Sequence, residues 1–397
     1  MTVDAAVSDG PRVAVIGVGA RSVIALHVPQ AYPGARLVAT VDPSPRGRER
    51  SARIFPGVPV FDDVAGLLTA GRVDAAIVTA PDDTHADIAE QLLGAGVAVY
   101  LEKPLATTLA DADRVLEAAV AARGVLYVGH NFRHAAVVRL MKQVIDRGEI
   151  GEVKTVWVRH FVGNGGDYYF KDWHADRSRT HTLLLQKASH DIDVVHYLSG
   201  GFTRRVVGMG DLMVYGDLAD RRDRSDETMP DWFSFDNWPP RSATGLHPVI
   251  DVEDVSMMMM TLDNGVLASY QQCHFTPDYW RNYTVIGTEG RLENIGDTAG
   301  GRVQVWNRRR GWDVEGDLRY EIDGVASGHD DADRATLREF LEHAFLGRPT
   351  VVSPLAARAA VAAGALAADS LRDGSRPRDV PALSTPVVEY FSAPTPQ

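Results

Sequence analysis

Arg12-Val13-Ala14-Val15-Ile16-Gly17-Val18-Gly19-Ala20-Arg21-Ser22 is a short β-branched run that breaks into Gly-x-Gly and then into a helical pattern over 20–31. Branched side chains favour an extended chain, and the glycines let the backbone turn sharply and approach a ligand closely. A second extended run, 36–41, closes on Asp42, an acid about 20 residues beyond the turn. A lone Gly-x-Gly carries little weight. Between a first strand and an acid-ended second strand it reads as a dinucleotide-binding turn, with the free N–H groups of a helix start offered to a pyrophosphate. Gly17, Gly19, Ala20, Arg21 and Ser22 are therefore expected at the phosphates, Ser22 standing where a third glycine is usual. Asp42 is expected at the adenosine ribose hydroxyls. An acid there repels a 2′-phosphate and favours NAD over NADP, a preference that Ser44 and Arg46 can soften.

At 397 residues the chain suggests two domains, with 45% apolar and 24% charged residues, an ordinary globular balance. A net charge of −12 argues against a nucleic-acid partner. One cysteine, Cys273, rules out an intrachain disulfide and fits a reducing cytoplasm. Residues 1–4 carry no basic export signal, and no apolar run is long enough for a bilayer, so a cytoplasmic protein without membrane contact is expected.

Strand-like runs at 58–61, 73–79, 98–101 and 126–129 alternate with helical patterns at 64–70, 86–95 and 109–123. This βα repetition predicts an N-terminal α/β domain with a doubly wound parallel sheet, over 1–131. After a helix over 136–147 the pattern changes. Alternating runs at 153–162, 204–215, 255–262, 266–274, 283–287 and 291–295 predict a large, mostly antiparallel open sheet in a second α/β domain, 132–383. Asp263-Asn264-Gly265 marks a hairpin, and Met257 to Met260 read as packing residues, two per face. Helices over 333–345 and 356–371 follow and are expected to pack back on the first domain. The proline-containing tail, 384–397, reads as extended or mobile. The charged insertion 217–251 holds Trp232, Phe233, Phe235 and Trp238; it reads either as a solvated loop or as a lid or subunit contact.

Polar groups gather where parallel strands end, which is where open α/β sheets bind ligands. Lys103 of Glu102-Lys103-Pro104 ends a buried strand, and an unpartnered buried ammonium is costly. Thr79, Pro81 and His85 leave another strand on the nicotinamide side, where Asp83 or Thr84 can equally serve as a helix cap. Asn131 leaves the last strand, either at the nicotinamide ribose or as a turn residue. In Gln186-Lys187-Ala188-Ser189-His190-Asp191-Ile192-Asp193, a helix over 192–198 with Ser189 or Asp191 as cap puts His190 near the positive end of a dipole. That position favours a neutral imidazole able to take a proton. His190, Asp191, Asp193 and His196 do not share a helix face, so no metal site is expected.

Gly17-x-Gly19, Asp42, the 81–85 turn, Glu102-Lys103-Pro104, Asn131-x-Arg133, Gly148-x-Ile150-Gly151, His190 in Ser-His-Asp-x-Asp, and Gly287-Thr288-Glu289-Gly290 together resemble the Gfo/Idh/MocA oxidoreductase family. The likeness runs over nearly the whole chain. It implies a Rossmann domain, an open sheet that covers the active site and often mediates oligomerisation, and NAD(P)-dependent oxidation or reduction of a sugar, cyclitol or related polyol. Carried over, Lys103 is the catalytic lysine and His190 the acid/base, with Glu102 and Lys103 also against the cofactor and Lys103, Arg133, Gln186 and His190 against the substrate. Many polyol-oxidising relatives have an aspartate four residues before the histidine. Gln186 stands there, so Lys103 and His190 suffice or Asp176 or Asp191 assists. Aromatic faces suit sugar C–H groups, which makes Tyr168, Phe170, Trp173, His174, Tyr279 and Trp280 candidate contacts, with domain packing as their other reading. A homo-oligomer is expected, and no metal. Rival readings are an NAD-dependent glycoside-cleaving enzyme and a non-catalytic sensor.

Overall fold

The computed structural model describes residues 10–225, 227–323 and 330–393. Residues 1–4, read for an export signal, lie outside them, as do 394–397 of the tail.

Six strands form the first sheet: β1 (Arg12–Ile16), β2 (Arg36–Val41), β3 (Val60–Phe61), β4 (Ala75–Val78), β5 (Ala98–Leu101) and β6 (Leu126–Val128). Their order is β3-β2-β1-β4-β5-β6 with every pair parallel. β4 and β5 are buried at every position, as a sheet covered on both faces requires. Register pairs Ile16 with Val78 and Val78 with Leu101, so Gly17, Thr79 and Glu102 emerge side by side at one edge. Gly17 has φ +86°, and a Cβ there would stand 2.5 Å from the Ala80 Cα, so only glycine fits.

The single helix expected over 20–31 is instead a 3-10 segment, Ala20–His27, followed by a one-turn α-helix, Val28–Ala31. Ser22 donates its N–H and its hydroxyl to the Gly19 carbonyl, setting the tighter i→i+3 spacing at the start. Pro29 has no N–H to carry an α pattern back across the junction.

The second sheet contains β7 (Val153–Val162), β8 (Thr203–Asp211), β9 (Val255–Leu262), β10 (Leu267–Cys273), β11 (Tyr279–Gly287), β12 (Arg291–Ile295), β13 (Arg302–Trp306), β14 (Leu318–Glu321) and β15 (Arg378–Asp379). The order is β14-β13-β12-β11-β7-β10-β9-β8-β15, antiparallel except where β10 joins β7. One face packs Val156, Val158, Met258, Met260, Tyr270 and Tyr283 against helices Ala136–Asp146, Ser189–Ser199 and Pro354–Arg372. The alanine-rich last helix approaches so closely that a Cβ on Gly208 would sit 2.1 Å from the Ala367 carbonyl. The other face leaves Trp157, Met209, Met257, Met259 and Leu267 exposed. Two of the four consecutive methionines are thus core and two lie in the open.

Three C-terminal pieces return to the first domain, and one of them, helix Pro354–Arg372, buries Ala357 and Val361 in its core and pairs Arg358 with Asp113 at 2.7 Å. Helix Asp330–Leu346 sets Leu337, Phe340 and Leu341 against Val13, Ile77 and Tyr100. The tail is not wholly extended, because Thr385–Ser392 forms a helix with Val387 buried and the Tyr390 hydroxyl on the Gly124 carbonyl. Pro386 sits in its first turn, where a missing N–H costs nothing.

Candidate active site

The Gly17–Ser22 turn is braced by carboxylates. Asp42 accepts from the Val18 N–H at 2.8 Å and from the Ser44 N–H and hydroxyl at 2.9 and 2.7 Å. Its carboxylate is thereby fixed at the rim of the turn. Arg21, expected at the pyrophosphate, lies between Glu102 (2.6 Å) and Asp333 (2.8 Å) of the Asp330–Leu346 helix. Asn131 donates to the same Asp333 at 2.7 Å. Thr79 donates its hydroxyl to the Gly17 carbonyl at 2.5 Å. His85 is a clamp: its ring nitrogens lie 2.7 and 3.0 Å from the carbonyls of Pro104 and Ala80, tying the Pro81 turn to the cis Lys103–Pro104 peptide. Its side chain is fully buried and turned to backbone rather than toward a ligand.

Lys103 reaches across the domain boundary. Its Nζ donates to the Gln186 carbonyl at 3.0 Å, which brings the end of β5 to the segment that leads into His190. Burial lowers the Lys103 pKa, and Asp82 and Glu102 partly oppose that. Asp82 is itself buried, with Oδ2 lacking a hydrogen-bond partner among the described residues, and desolvation raises its pKa to about 6. Sequence reasoning passed over this acid, giving the cap role in this turn to Asp83 or Thr84.

His190 does fall in the first turn, but the helix runs Ser189–Ser199 with Ala188 as its cap residue, not Ser189 or Asp191. The His190 ring packs on Phe132 with centroids 4.8 Å apart. Behind it lies a closed network. Asp191 meets Arg281 Nε at 2.8 Å, His160 Nδ1 at 3.1 Å and the Tyr283 hydroxyl. Burial opposes its ionisation, yet Arg281 and His160 more than offset this and hold the Asp191 carboxyl well below the usual range. Asp191 is therefore not free to replace a missing base. Asp176 caps the short helix Arg177–Thr180 through the Ser178 N–H. Arg133, expected at the substrate, is also committed elsewhere, with two 2.7 Å bonds to Asp193 and one of 2.6 Å to the Val351 carbonyl.

A cavity of about 470 Å³ lies beside Phe132. Tyr168, Tyr169, Tyr279, Lys187, Arg281, Asp297 and Thr298 are in its wall. Of the proposed sugar contacts, Tyr168 and Tyr279 are placed there. His174 stacks on Trp173 at 3.8 Å and edges Tyr169 at 5.3 Å, close behind the same wall. Phe170 instead stacks on Tyr215 in the core, and Trp280 points to the opposite sheet face beside Phe161. The side-chain Oε1 of Gln186 has no partner among the described residues.

The 217–251 insertion is partly packed. Trp232 donates to the Asp167 carbonyl at 2.8 Å, and Asn237 and Ser234 donate to the Asp167 carboxylate. Asp167 belongs to the short helix Gly165–Tyr169, which carries Tyr168 and Tyr169. Phe235 remains 83% exposed, so the insertion is neither a purely solvated loop nor a fully packed one.

Comparison with known proteins follows this division. Residues 11–130 match the family described as "Oxidoreductase family, NAD-binding Rossmann fold", and residues 138–293 match the "GFO/IDH/MocA C-terminal domain". The chain belongs to the Gfo/Idh/MocA oxidoreductase family. A Bacillus subtilis protein named as an oxidoreductase, YteT, is 27% identical over 65% of this chain and 70% of its own length. An inositol 2-dehydrogenase of Gluconacetobacter diazotrophicus is 31% identical over 48% of this chain, and the match spans 54% of that enzyme. The solved structure of GenD2 from gentamicin A biosynthesis, in complex with NAD, superimposes with a TM-score of 0.71 at 22% identity, covering 95% of this chain and 98% of that one; it shares the fold.

As a member of this family the chain is an NAD-dependent oxidoreductase, and its residues fit the cofactor. A Cβ on Gly19 would meet only the Thr79 carbonyl at 3.9 Å, which leaves open space against the turn. The Asp42 carboxylate, fixed at the rim of the turn, is the kind of acid that would hold the ribose hydroxyls of NAD. Among the described residues no group of three or more His, Cys, Asp or Glu is placed to hold a metal ion, and no helix is long and apolar enough to cross a membrane.

Proposed function

We propose that this Gfo/Idh/MocA oxidoreductase interconverts a secondary alcohol and a ketone on a sugar, cyclitol or related polyol. The observation that carries the reading is the 3.0 Å bond from Lys103 Nζ to the Gln186 carbonyl. It joins the strand end of the cofactor domain to the segment bearing Lys187 and His190; Lys187, and Phe132 on which the His190 ring packs, line an aromatic-walled cavity. NAD, when bound, supplies the hydride acceptor. His190 takes the hydroxyl proton, and Lys103 stabilises negative charge developing on that oxygen. Tyr168 and Tyr279 offer faces to the ring C–H groups. Arg21, Glu102, Asn131 and Asp42 hold the cofactor turn in shape, and Gln186 serves through its carbonyl as the seat of Lys103. The inositol 2-dehydrogenase name of a relative supports a polyol, though not a particular one.

Lys103→Ala is expected to lower kcat by roughly a hundredfold or more, the scale of a lost proton-handling or charge-stabilising group. NAD affinity should stay within a few-fold. Near-normal turnover by that variant on a panel of sugars and cyclitols would remove Lys103 from the chemistry.

The exposed outer face of the second sheet supports a homo-oligomer. Register sets Trp157 and Met259 on either side of Ser269, with Met257 and Met209 in the next row. Large apolar side chains grouped on an open sheet face mark an association surface.

A further inference from the structure

We propose that the substrate carries a carboxylate, held by Lys187 and Arg281 in the cavity walled by Phe132, the ring on which His190 packs. The inference rests on the oxidoreductase reading of the same site and adds the chemical class of the substrate.

Two cationic side chains face this cavity without being consumed by it. Lys187 Nζ has no hydrogen-bond or ion-pair partner among the described residues; it stands over the rings of Tyr169 and Tyr279 at 5.8 and 6.0 Å. Aromatic faces hold an ammonium in place while leaving its N–H donors available. Arg281 is 1% exposed and lies 4.1 Å over the Phe132 ring. Its Nε lies against Asp191, but Nη1 has no hydrogen-bond partner among the described residues, and the nearest carboxylate oxygen, of Asp297, is 3.9 Å away. A buried guanidinium N–H left open toward a cavity is costly unless a ligand completes it.

The charges decide what completes it. The cavity wall carries Lys187, Arg281 and a single acid, Asp297. Asp191 lies behind Arg281, shared with His160 and Tyr283, and does not enter the wall. Arg281 is matched by Asp191 at 2.8 Å, so Lys187 is the cation of the wall that has no carboxylate against it among the described residues, and a ligand carboxylate would supply that partner. Burial first, then Arg281 and Lys103, bring the Lys187 pKa down to about 7, and an anion beside it would favour the charged form. Desolvation raises the pKa of Asp297, which weakens the acid of the wall as a counter-charge to Lys187. A planar carboxylate suits the forked donors of an arginine, with the ammonium as a second contact.

The test is calorimetry on NAD-loaded protein with matched compounds: glucuronate against glucose, galacturonate against galactose, and glucose 6-phosphate as a dianionic arm. At least one uronate should bind roughly tenfold tighter than its neutral partner. Lys187→Met should abolish that preference while NAD still binds, and Lys187→Arg should keep it. The proposal is overturned if no uronate binds better than its neutral partner, including the case in which none binds. It is also overturned if the phosphate binds best or if Lys187→Met retains the preference. A uronate that binds with this pattern yet yields no reduced nicotinamide would instead count against the oxidoreductase reading, and so the two failures are distinguishable.

Discussion

Arg133 and Asp193 face each other through two 2.7 Å hydrogen bonds in a place almost closed to water. Removing one member of such a pair strands the other, which typically costs about 3–5 kcal/mol. Asp193→Ala should show that loss in urea unfolding and leave substrate preference unchanged, because the pair braces the His190 helix and does not line the cavity. An unaltered unfolding free energy would mean the pair is idle. Sequence alone could not separate Arg133 from a substrate contact, since its partner lies 60 positions away. Lys187 was legible in principle. The chain has five lysines, Lys103, Lys142, Lys154, Lys171 and Lys187, among 41 basic residues. In a protein that clothes its surface in arginine, a lysine in the run Leu183-Leu184-Leu185-Gln186-Lys187-Ala188 stands in a largely apolar stretch. No motif marks Lys187: Glu-Lys-Pro points to a histidine partner, His190, and the cation stands between that histidine and Gln186.

At the scale of elements, the insertion acts as a clasp. Asn237 donates twice to the Asp167 carboxylate, at 2.9 Å each, and Trp232 seals the contact. Asn237→Ala should loosen helix Gly165–Tyr169 and raise KM roughly tenfold, the scale of one or two lost hydrogen bonds, with kcat little changed. Steady-state kinetics separate the two; a fall in kcat alone would contradict a positioning role. Strands β7 and β9 were readable to the residue because each alternates buried and open positions, and period two leaves little room for slippage. Where proline intervenes, reading was harder. Pro29 turned an expected helix into a 3-10 segment with a short α end, whereas Pro386 began a helix in a tail that looked extended. The same residue breaks or starts a helix depending on which turn it occupies, and local sequence does not say which.

Over the whole molecule, buried histidines set the response to acid. Burial foremost brings His160 and His174 down to about 3 and His196 to about 4. The unfolded chain takes up these protons near pH 6.5 and the folded chain does not, so the stability is present above about 6.5 and lost as pH falls below it. Urea midpoints should fall steadily from pH 7 to pH 4, by several kcal/mol in unfolding free energy; a flat profile would show that these rings are not held neutral. Light scattering tests the exposed sheet: the wild type should exceed a 43.2 kDa monomer, and Met259→Glu should shift it toward one. A monomeric wild type would remove the oligomer. The sheet topology was open to sequence because it follows from short-range periodicity. The junction at Asp333 was not, because Arg21 and its helper stand 312 positions apart. That junction has a consequence for the order of synthesis. Arg21 gains Asp333 only after a further 312 residues have been made, and Asn131 after a further 202. The nucleotide-binding half is thus not a finished module when its own last strand appears; its closing piece is made about two hundred residues later.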